Sequence, residues 1–315
     1  MAPVIAVDLG GTSLRIALFA SLDPDPAAQT KLPTRASEGP DSALARMIEA
    51  IEQLLPSSAE GLRIGIGAPG PLDPQRGVIL ETPNLPGWIN VPVKDRLANH
   101  FGCTVAVGND ASLAALGEWR FGAGRGSQNM LYLTISTGIG GGAIVDGRPL
   151  LGALGLGAEL GHMTVEPEGP LCGCGQRGHL EAVASGLAIA RRAHDRVAAG
   201  EESSLANALQ ESGRLTAKHV AQAAQQGDRL AREEMTRAAE AIGKHLASLV
   251  HAFNPEVIVL GGGVTQAGPL FLDPIEKTLL SHLMHRAFAE DLRLLPAALG
   301  DDAGLIGAMI LGYGE

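Results

Sequence analysis

The chain states one plan twice, and that recurrence constrains its fold more than any other feature. Residues 3–9 (PVIAVDL) form a short apolar run ending in Asp8-Leu9-Gly10-Gly11-Thr12, and a second run, RIALF (15–19), follows at once. Two such runs joined by a glycine turn predict a hairpin. A third strand is expected at 28–35 (AQTKLPTR), after the DPDP turn. Next come a helix capped by Asp41, with apolar residues at 44, 47, 48, 51, 54 and 55, and a buried strand in LRIGIGAPG (62–70). The order then returns. MLYLTIS (130–136) enters TGIGGG (137–142), AIVDGRPL leaves it as a second strand, and HMTVEP (162–167) is expected as a third. A helix covers 228–253 and stops before Pro255, and EVIVLGGGV (256–264) is a strand running into glycines. Duplicated α/β domains on either side of a cleft are the expectation, with a boundary near 110–125. A closing helix in DDAGLIGAMILGY (301–313) has small residues along one side.

A chain of 315 residues suits about two domains. Apolar residues make up 45% but aromatics only 3%, so the core must be built from Ala, Leu, Ile and Val. The net charge of −10, with no basic stripe, argues against a nucleic-acid partner. It does not exclude anionic small molecules, because main-chain N–H groups bind phosphate without side-chain charge. Three cysteines, two of them in one Cys-x-Cys, do not make a disulfide framework; a reducing, cytoplasmic compartment fits better. The N-terminus has no basic leader, and no run reaches the ~18 apolar residues of a membrane span. A soluble cytoplasmic protein is expected.

Three glycine runs, DLGGT (8–12), STGIGGG (136–142) and LGGGV (260–264), each follow an apolar strand. Each is either a tight strand exit or a place where main-chain amides reach a phosphate, with Thr12 and Thr137 adding hydroxyls. Neither a P-loop nor a full dinucleotide fingerprint is matched. Asp8 is either a turn cap or a partner of Mg²⁺. In VAVGNDASLAALGEW (105–119) a strand ends at Asn109-Asp110 and a helix begins. One residue of the pair suffices as N-cap. The other is free to deprotonate a hydroxyl, and the helix N-terminus is expected to keep it ionised. Residues 157–181, GAELGHMTVEPEGPLCGCGQRGHLE, hold His162, Cys172, Cys174 and His179, a Cys₂His₂ set suited to a closed structural zinc site. Glu159 and Glu181 flank it; they are either a solvated face or binders of sugar hydroxyls. Cys103 reads as a core residue.

These motifs together resemble the sugar kinases of the ROK family, bacterial glucokinases above all. The resemblance runs through DLGGT, GIGAPGPLD (65–73), TPNLPGW (82–88), the Asn-Asp pair, LTISTGIGGGAIVDG (133–147), GAELGHM, CGCGQRGHLEA and LGGGV. It implies an α/β fold of the actin-like, hexokinase type, with two ribonuclease-H-like domains around a cleft: a small domain of 1–112 plus 301–315 and a large one of 113–300 carrying the zinc loop. It implies ATP-dependent phosphorylation of glucose at the 6-hydroxyl, with Asp110 as catalytic base. Gly70, Asn109, Glu159, His162 and Glu181 would hold the sugar, and His162 would also be a zinc ligand. Asp8, Gly10, Gly11, Thr12, Thr137 and Gly138 would meet ATP phosphates and Mg²⁺; Gly261 and Gly262 would approach the adenosine. His179 stands where the family usually has a third cysteine. N-acetylmannosamine-specific relatives carry an Arg where this chain has Gly70-Pro71, which favours an unsubstituted hexose. A kinase for fructose, mannose or an N-acetylhexosamine is the alternative. A sugar-sensing repressor would need a helix-turn-helix domain ahead of the first glycine turn, which here begins at residue 8. The resemblance also implies a homodimer.

Overall fold

A computed structural model describes residues 2–56, 60–82 and 85–314; Pro83 and Asn84 of TPNLPGW lie outside the described residues. The strands in chain order are β1 Val4–Leu9, β2 Ser13–Phe19, β3 Ala28–Pro33, β4 Arg63–Ala68, β5 Leu72–Asp73, β6 Val78–Glu81, β7 Ile89–Val91, β8 Thr104–Asn109, β9 Met130–Ile135, β10 Ile139–Val145, β11 Arg148–Pro149, β12 Val257–Gly261 and β13 Arg293–Pro296. The helices are α1 Pro40–Leu54, α2 Val93–Phe101, α3 Asp110–Phe121, α4 Leu180–Ala184, α5 Gly186–Ala198, α6 Leu205–Ser212, α7 Ala217–Gln225, α8 Arg229–Phe253, α9 Pro269–Ser281 and α10 Ala303–Tyr313.

The repeat expected from the sequence is present as topology. One five-stranded sheet has the order β3-β2-β1-β4-β8 and the other β11-β10-β9-β12-β13. In each, an antiparallel hairpin continues into parallel strands: β1, β4 and β8 in the first, β9, β12 and β13 in the second. Both faces of each sheet are covered, which is why the parallel strands read as unbroken apolar runs. Ile5, Val7 and Leu9 face the core shared with α1 and α2, while Val4 and Ala6 face α10. Likewise Leu131, Leu133 and Ile135 face the helices α4 to α9, and Met130 and Tyr132 face α3. A smaller antiparallel sheet, β5-β6-β7, extends from the first unit.

Helix α3 lies between the two sheets. Its other neighbour, α10, packs against it so closely that a Cβ on Gly307 would stand 1.8 Å from the Leu113 carbonyl oxygen, and one on Gly117 2.4 Å from that of Ala303. The small residues of the closing helix are therefore a contact surface. The boundary expected at 112/113 falls inside α3.

Three local expectations are corrected. Asp41 does not cap α1. The cap is Gly39 at φ 87°, Pro40 opens the helix, and Asp41 instead pairs with Arg96 at 2.9 Å; proline's fixed φ suits the first helical position. HMTVEP (162–167) is not a strand. Leu160–His162 is a 3₁₀ turn, and Thr164 makes one isolated bridge, to His179. The third strand of the second unit is β11, which ends at Pro149, a residue with no N–H for further pairing. Finally, TGIGGG is mostly not a turn: Gly140, Gly141 and Gly142 lie within β10. None of them has positive φ. They are glycines because neighbours approach closely: a Cβ at Gly140 would meet Ala111 Cβ at 2.6 Å, one at Gly141 Leu160 Cβ at 2.8 Å, and one at Gly142 Ala115 Cβ at 2.4 Å. Of the third run, Gly262 does need its freedom, with φ 89°.

Candidate active site

The parallel strands of both sheets end at one place. Asp8 of β1 is in register with Gly67 of β4, and Ala68 with Asn109 of β8. From the other sheet, β9 leads into Ser136-Thr137-Gly138 and β12 into Gly261-Gly262-Gly263. Ligands in open α/β sheets bind at such carboxyl ends. Here a cleft of about 780 Å³ opens between them, lined by Gly70, Asn109, Asp110, Thr137, Gly138, Glu159, His162, Glu181, Gly261 and Gly262, all anticipated from sequence. Gly10, Gly11 and Thr12 are not part of that lining. They form the β1–β2 turn, where Gly10 N–H donates to Ser13 O and Thr34 Oγ1 donates to Gly10 O at 2.6 Å. Asp8 comes nearer, with its carboxyl oxygen 3.7 Å from where a Cβ would stand on the cleft residue Gly304.

The Asn109-Asp110 pair divides the work at the start of α3. Asn109 is the cap; its Oδ1 accepts from Ser112 N–H at 3.0 Å. Its amide nitrogen points the other way, 3.2 Å from the place of a Cβ on Gly70. Asp110 Oδ1 accepts from Ala111 N–H at 2.8 Å. That bond does not keep the group ionised as expected. Burial outweighs it, and with the charges of Asp8 and Glu159 nearby it pushes the Asp110 carboxyl up to about 7. Burial also raises Glu159, opposed by His162 and helped by Glu181. It raises Asp8 against Arg15, with Asp301 adding to the rise. Two carboxyl groups in the cleft and a third beside it, all held above their ordinary range, favour a ligand that brings cations or hydroxyl donors.

Glu181 is fixed by the opposite wall. Its Oε2 accepts from Ile139 N–H at 3.0 Å, and Cys172 Sγ lies 3.6 Å from its Oε1. Beside it, His162, Cys172, Cys174 and His179 bring one donor atom each to within 4.8 Å of one another. Cys172 Sγ is 3.7 Å from His162 Nδ1, and Cys174 Sγ is 3.3 Å from His179 Nδ1. Bond lengths of about 2.0–2.3 Å in a tetrahedron separate ligands by roughly 3.3–3.8 Å; these two pairs stand at that spacing, and the other separations, up to 4.8 Å, would close by about 1 Å around zinc. The bridges Thr164–His179 and Leu171–Arg177 fold the loop that presents it. Cys103 is partly buried against the core formed with α1 and α2.

The sequence reading missed Tyr132, Thr134, Gln266, Asp301 and Gly304, which also line the cleft. Burial pushes the Tyr132 hydroxyl up to about 12, so it remains a donor. Asp301 and Gly304 lie where the chain enters α10, and Arg15 holds this entry by donating to the Asp301 carbonyl and pairing with Asp302. The Asp-Asp-Ala-Gly opening of the last helix was the available signal.

Comparison with known proteins gives a consistent result. The model of the ROK family matches residues 4–314. A glucokinase of Thermotoga maritima is 38% identical, covering 97% of this chain and 95% of its own. A glucokinase of Halalkalibacterium halodurans is 39% identical, covering 96% and 92%. The crystal structure of a ROK family glucokinase from Streptomyces griseus in complex with glucose and AMPPNP superposes with a TM-score of 0.83 at 35% identity, over 99% of this chain and 100% of that one.

Proposed function

The chain belongs to the ROK family, and from that premise we propose that it is a glucokinase, transferring the γ-phosphoryl group of ATP to the 6-hydroxyl of glucose. The observation that carries this reading is the place of Asp110: on the first residue of α3, inside the cleft, opposite the main chain of 136–138 and 261–263, with its carboxyl near 7. A general base works best with a pKa near the operating pH.

In this reading the sugar lies on Asn109, Glu159, His162 and Glu181 beside Gly70. Asn109 offers its amide N–H₂ because its oxygen is spent on the cap. His162 serves two neighbours, Nδ1 toward the cysteine cluster and the rest of the ring toward the cleft. ATP lies along Thr137, Gly138, Gly261 and Gly262, with the 8–12 turn beyond, where Gly10 closes the turn through its bond to Ser13 and Gly11 and Thr12 offer main-chain and hydroxyl donors. Asp110 takes the proton of the 6-hydroxyl as that oxygen bonds to the γ-phosphorus; the bond to the bridging oxygen breaks and ADP leaves. Exclusion of water from the cleft matters, because water is the competing acceptor.

Asp8 would hold Mg²⁺, which neutralises phosphate charge when bound. Its hard carboxyl oxygen, raised by burial and Asp301, suits that cation. Zinc in the Cys₂His₂ set would fix the loop that carries His162 and leave no open position for chemistry. The reading also includes the division into 1–112 plus 301–315 and 113–300, supported by the packing of α10 on the first sheet, a cytoplasmic location that keeps these thiols reduced, and the homodimer implied by the family resemblance. No helix among the described residues is long and apolar enough to cross a membrane.

The test is a sugar panel with coupled ADP detection. Glucose-dependent ADP release exceeding that with fructose, mannose and N-acetylhexosamines supports the reading. Preference for another hexose corrects the substrate, and absence of sugar-dependent ADP release overturns the kinase.

A further inference from the structure

The motif that ends in Asn109-Asp110 at one side ends in Glu118 at the other, and the chemistry described so far does not use that residue. Glu118 has 0% exposure. It sits on the last turns of α3, eight residues after Asp110, a rise of about 12 Å along the helix. Its carboxyl group accepts from main-chain amides of two other segments. Oε2 takes Ala123 N–H at 2.8 Å and Ala298 N–H at 3.1 Å; Oε1 takes Leu299 N–H at 2.7 Å. Gly122 leaves room for it: a Cβ there would stand 2.1 Å from Oε2.

Ala298 and Leu299 lie between Ala297 and Gly300, which both line the cleft, with Asp301 following. This wall is continuous with the third glycine run. Ala297 N–H donates to Leu260 O at 2.9 Å, and Ala297 Cβ lies 3.2 Å from where a Cβ would stand on Gly261. Three main-chain bonds converge on this one buried side chain, and a buried carboxyl group is stable only when so satisfied.

The geometry points to Glu118 as a positioning residue that fixes the nucleotide side of the cleft, residues 297–301, to the same helix that presents Asp110. This rests on the kinase reading above. One rigid helix then sets both reacting partners: the base at its first residue and the nucleotide wall through its last turns. Loss of the clamp lets the wall shift, while Asn109 and Asp110 keep their own anchors. The penalty therefore falls on ATP rather than on glucose.

The test is Glu118→Gln, with Glu118→Leu as the harsher companion. Glutamine keeps the shape but replaces one acceptor by a donor, so at least one of the three amides loses its partner. The expected result is a cooperative melt, a KM for ATP raised on the order of tenfold, a KM for glucose within about twofold of the parent, and faster hydrogen exchange at Ala298 and Leu299. Leu should be worse than Gln; if it fails to fold, the Gln variant alone decides. Equal changes in both KM values, or parental exchange at 298–299, overturns the assignment. Binding of AMPPNP measured by calorimetry separates the two levels of inference. If the parent binds it but phosphorylates no sugar, the kinase reading fails, and weaker AMPPNP binding by Glu118→Gln still supports the clamp.

Discussion

Gly142→Ala probes the link between fold and chemistry most sharply. The added Cβ would stand 2.4 Å from Ala115 Cβ, where carbon atoms normally rest about 3.5–4.0 Å apart. Strand β10 and helix α3 must therefore part locally by about 1–1.5 Å. Overpacking of this kind costs about 1–3 kcal/mol. Asp110 opens the displaced helix, and a misplacement of about 1 Å can lower turnover on the order of 100-fold. Ala115→Gly removes the obstructing methyl; the next atom in the way is Ser112 Cα at 3.3 Å, a tight contact that the helix relieves by yielding a few tenths of an ångström. The double variant should recover most of the loss, less the roughly 1 kcal/mol cost of a helical glycine. Urea denaturation and kcat for the parent, both single variants and the double form a cycle whose coupling energy should reach about 1–2 kcal/mol. Parental stability and turnover in Gly142→Ala, or strict additivity in the double variant, would refute the docking of α3 on the glycine strand.

Three further outcomes follow from the site. Because the Asp110 carboxyl sits near 7, kcat/KM for glucose should fall as pH drops below about 7; a flat profile from pH 6 to 8 would contradict the base assignment. His245 is 4% exposed in α8, beneath the Leu160 main chain, and burial depresses its ring to about 4 from 6.5. The unfolded chain then binds the extra proton, so this stability is complete above about pH 6.5 and is lost as pH falls toward 4, by about 3 kcal/mol. Denaturation of the parent and of His245→Gln at pH 7 and 4.5 should show that slope in the parent only. Elemental analysis should find about one zinc per chain, and Cys172→Ser should fall below about half an equivalent and melt earlier; equal metal content in both would remove the zinc site.

Much of this was legible because strand periodicity and glycine punctuation are local properties. The runs at 3–9, 62–70, 130–136 and 256–264 are apolar on successive residues, and only strands covered on both faces need that. Glu159, His162 and Glu181 could be named because they cluster in sequence. What failed was decided by distant packing. HMTVEP has the alternation of a strand, but the edge it would join ends at Pro149, and its amides turn instead to Gly178. The glycines of 140–142 looked like a turn because sequence cannot tell freedom of φ from closeness of a neighbour; Ala111, Leu160 and Ala115 are the neighbours. Asp110 was expected to be ionised because a helix N-terminus is visible in sequence, whereas the burial that outweighs it is not. Asp301 meets Arg15 across 286 residues of chain, and Glu118 meets Ala298 and Leu299 across 180 and 181, separations that no local pattern reveals.

The most direct measurement is turnover of Asp110→Asn with glucose and ATP. The substitution keeps the shape and removes the proton acceptor. It should lower kcat by about 10²–10⁴-fold, with glucose binding still measurable by calorimetry. It should also leave the fold at least as stable at pH 8, because a carboxyl group raised to about 7 opposes folding once ionised. Near-parental turnover in that variant would contradict the account at its centre.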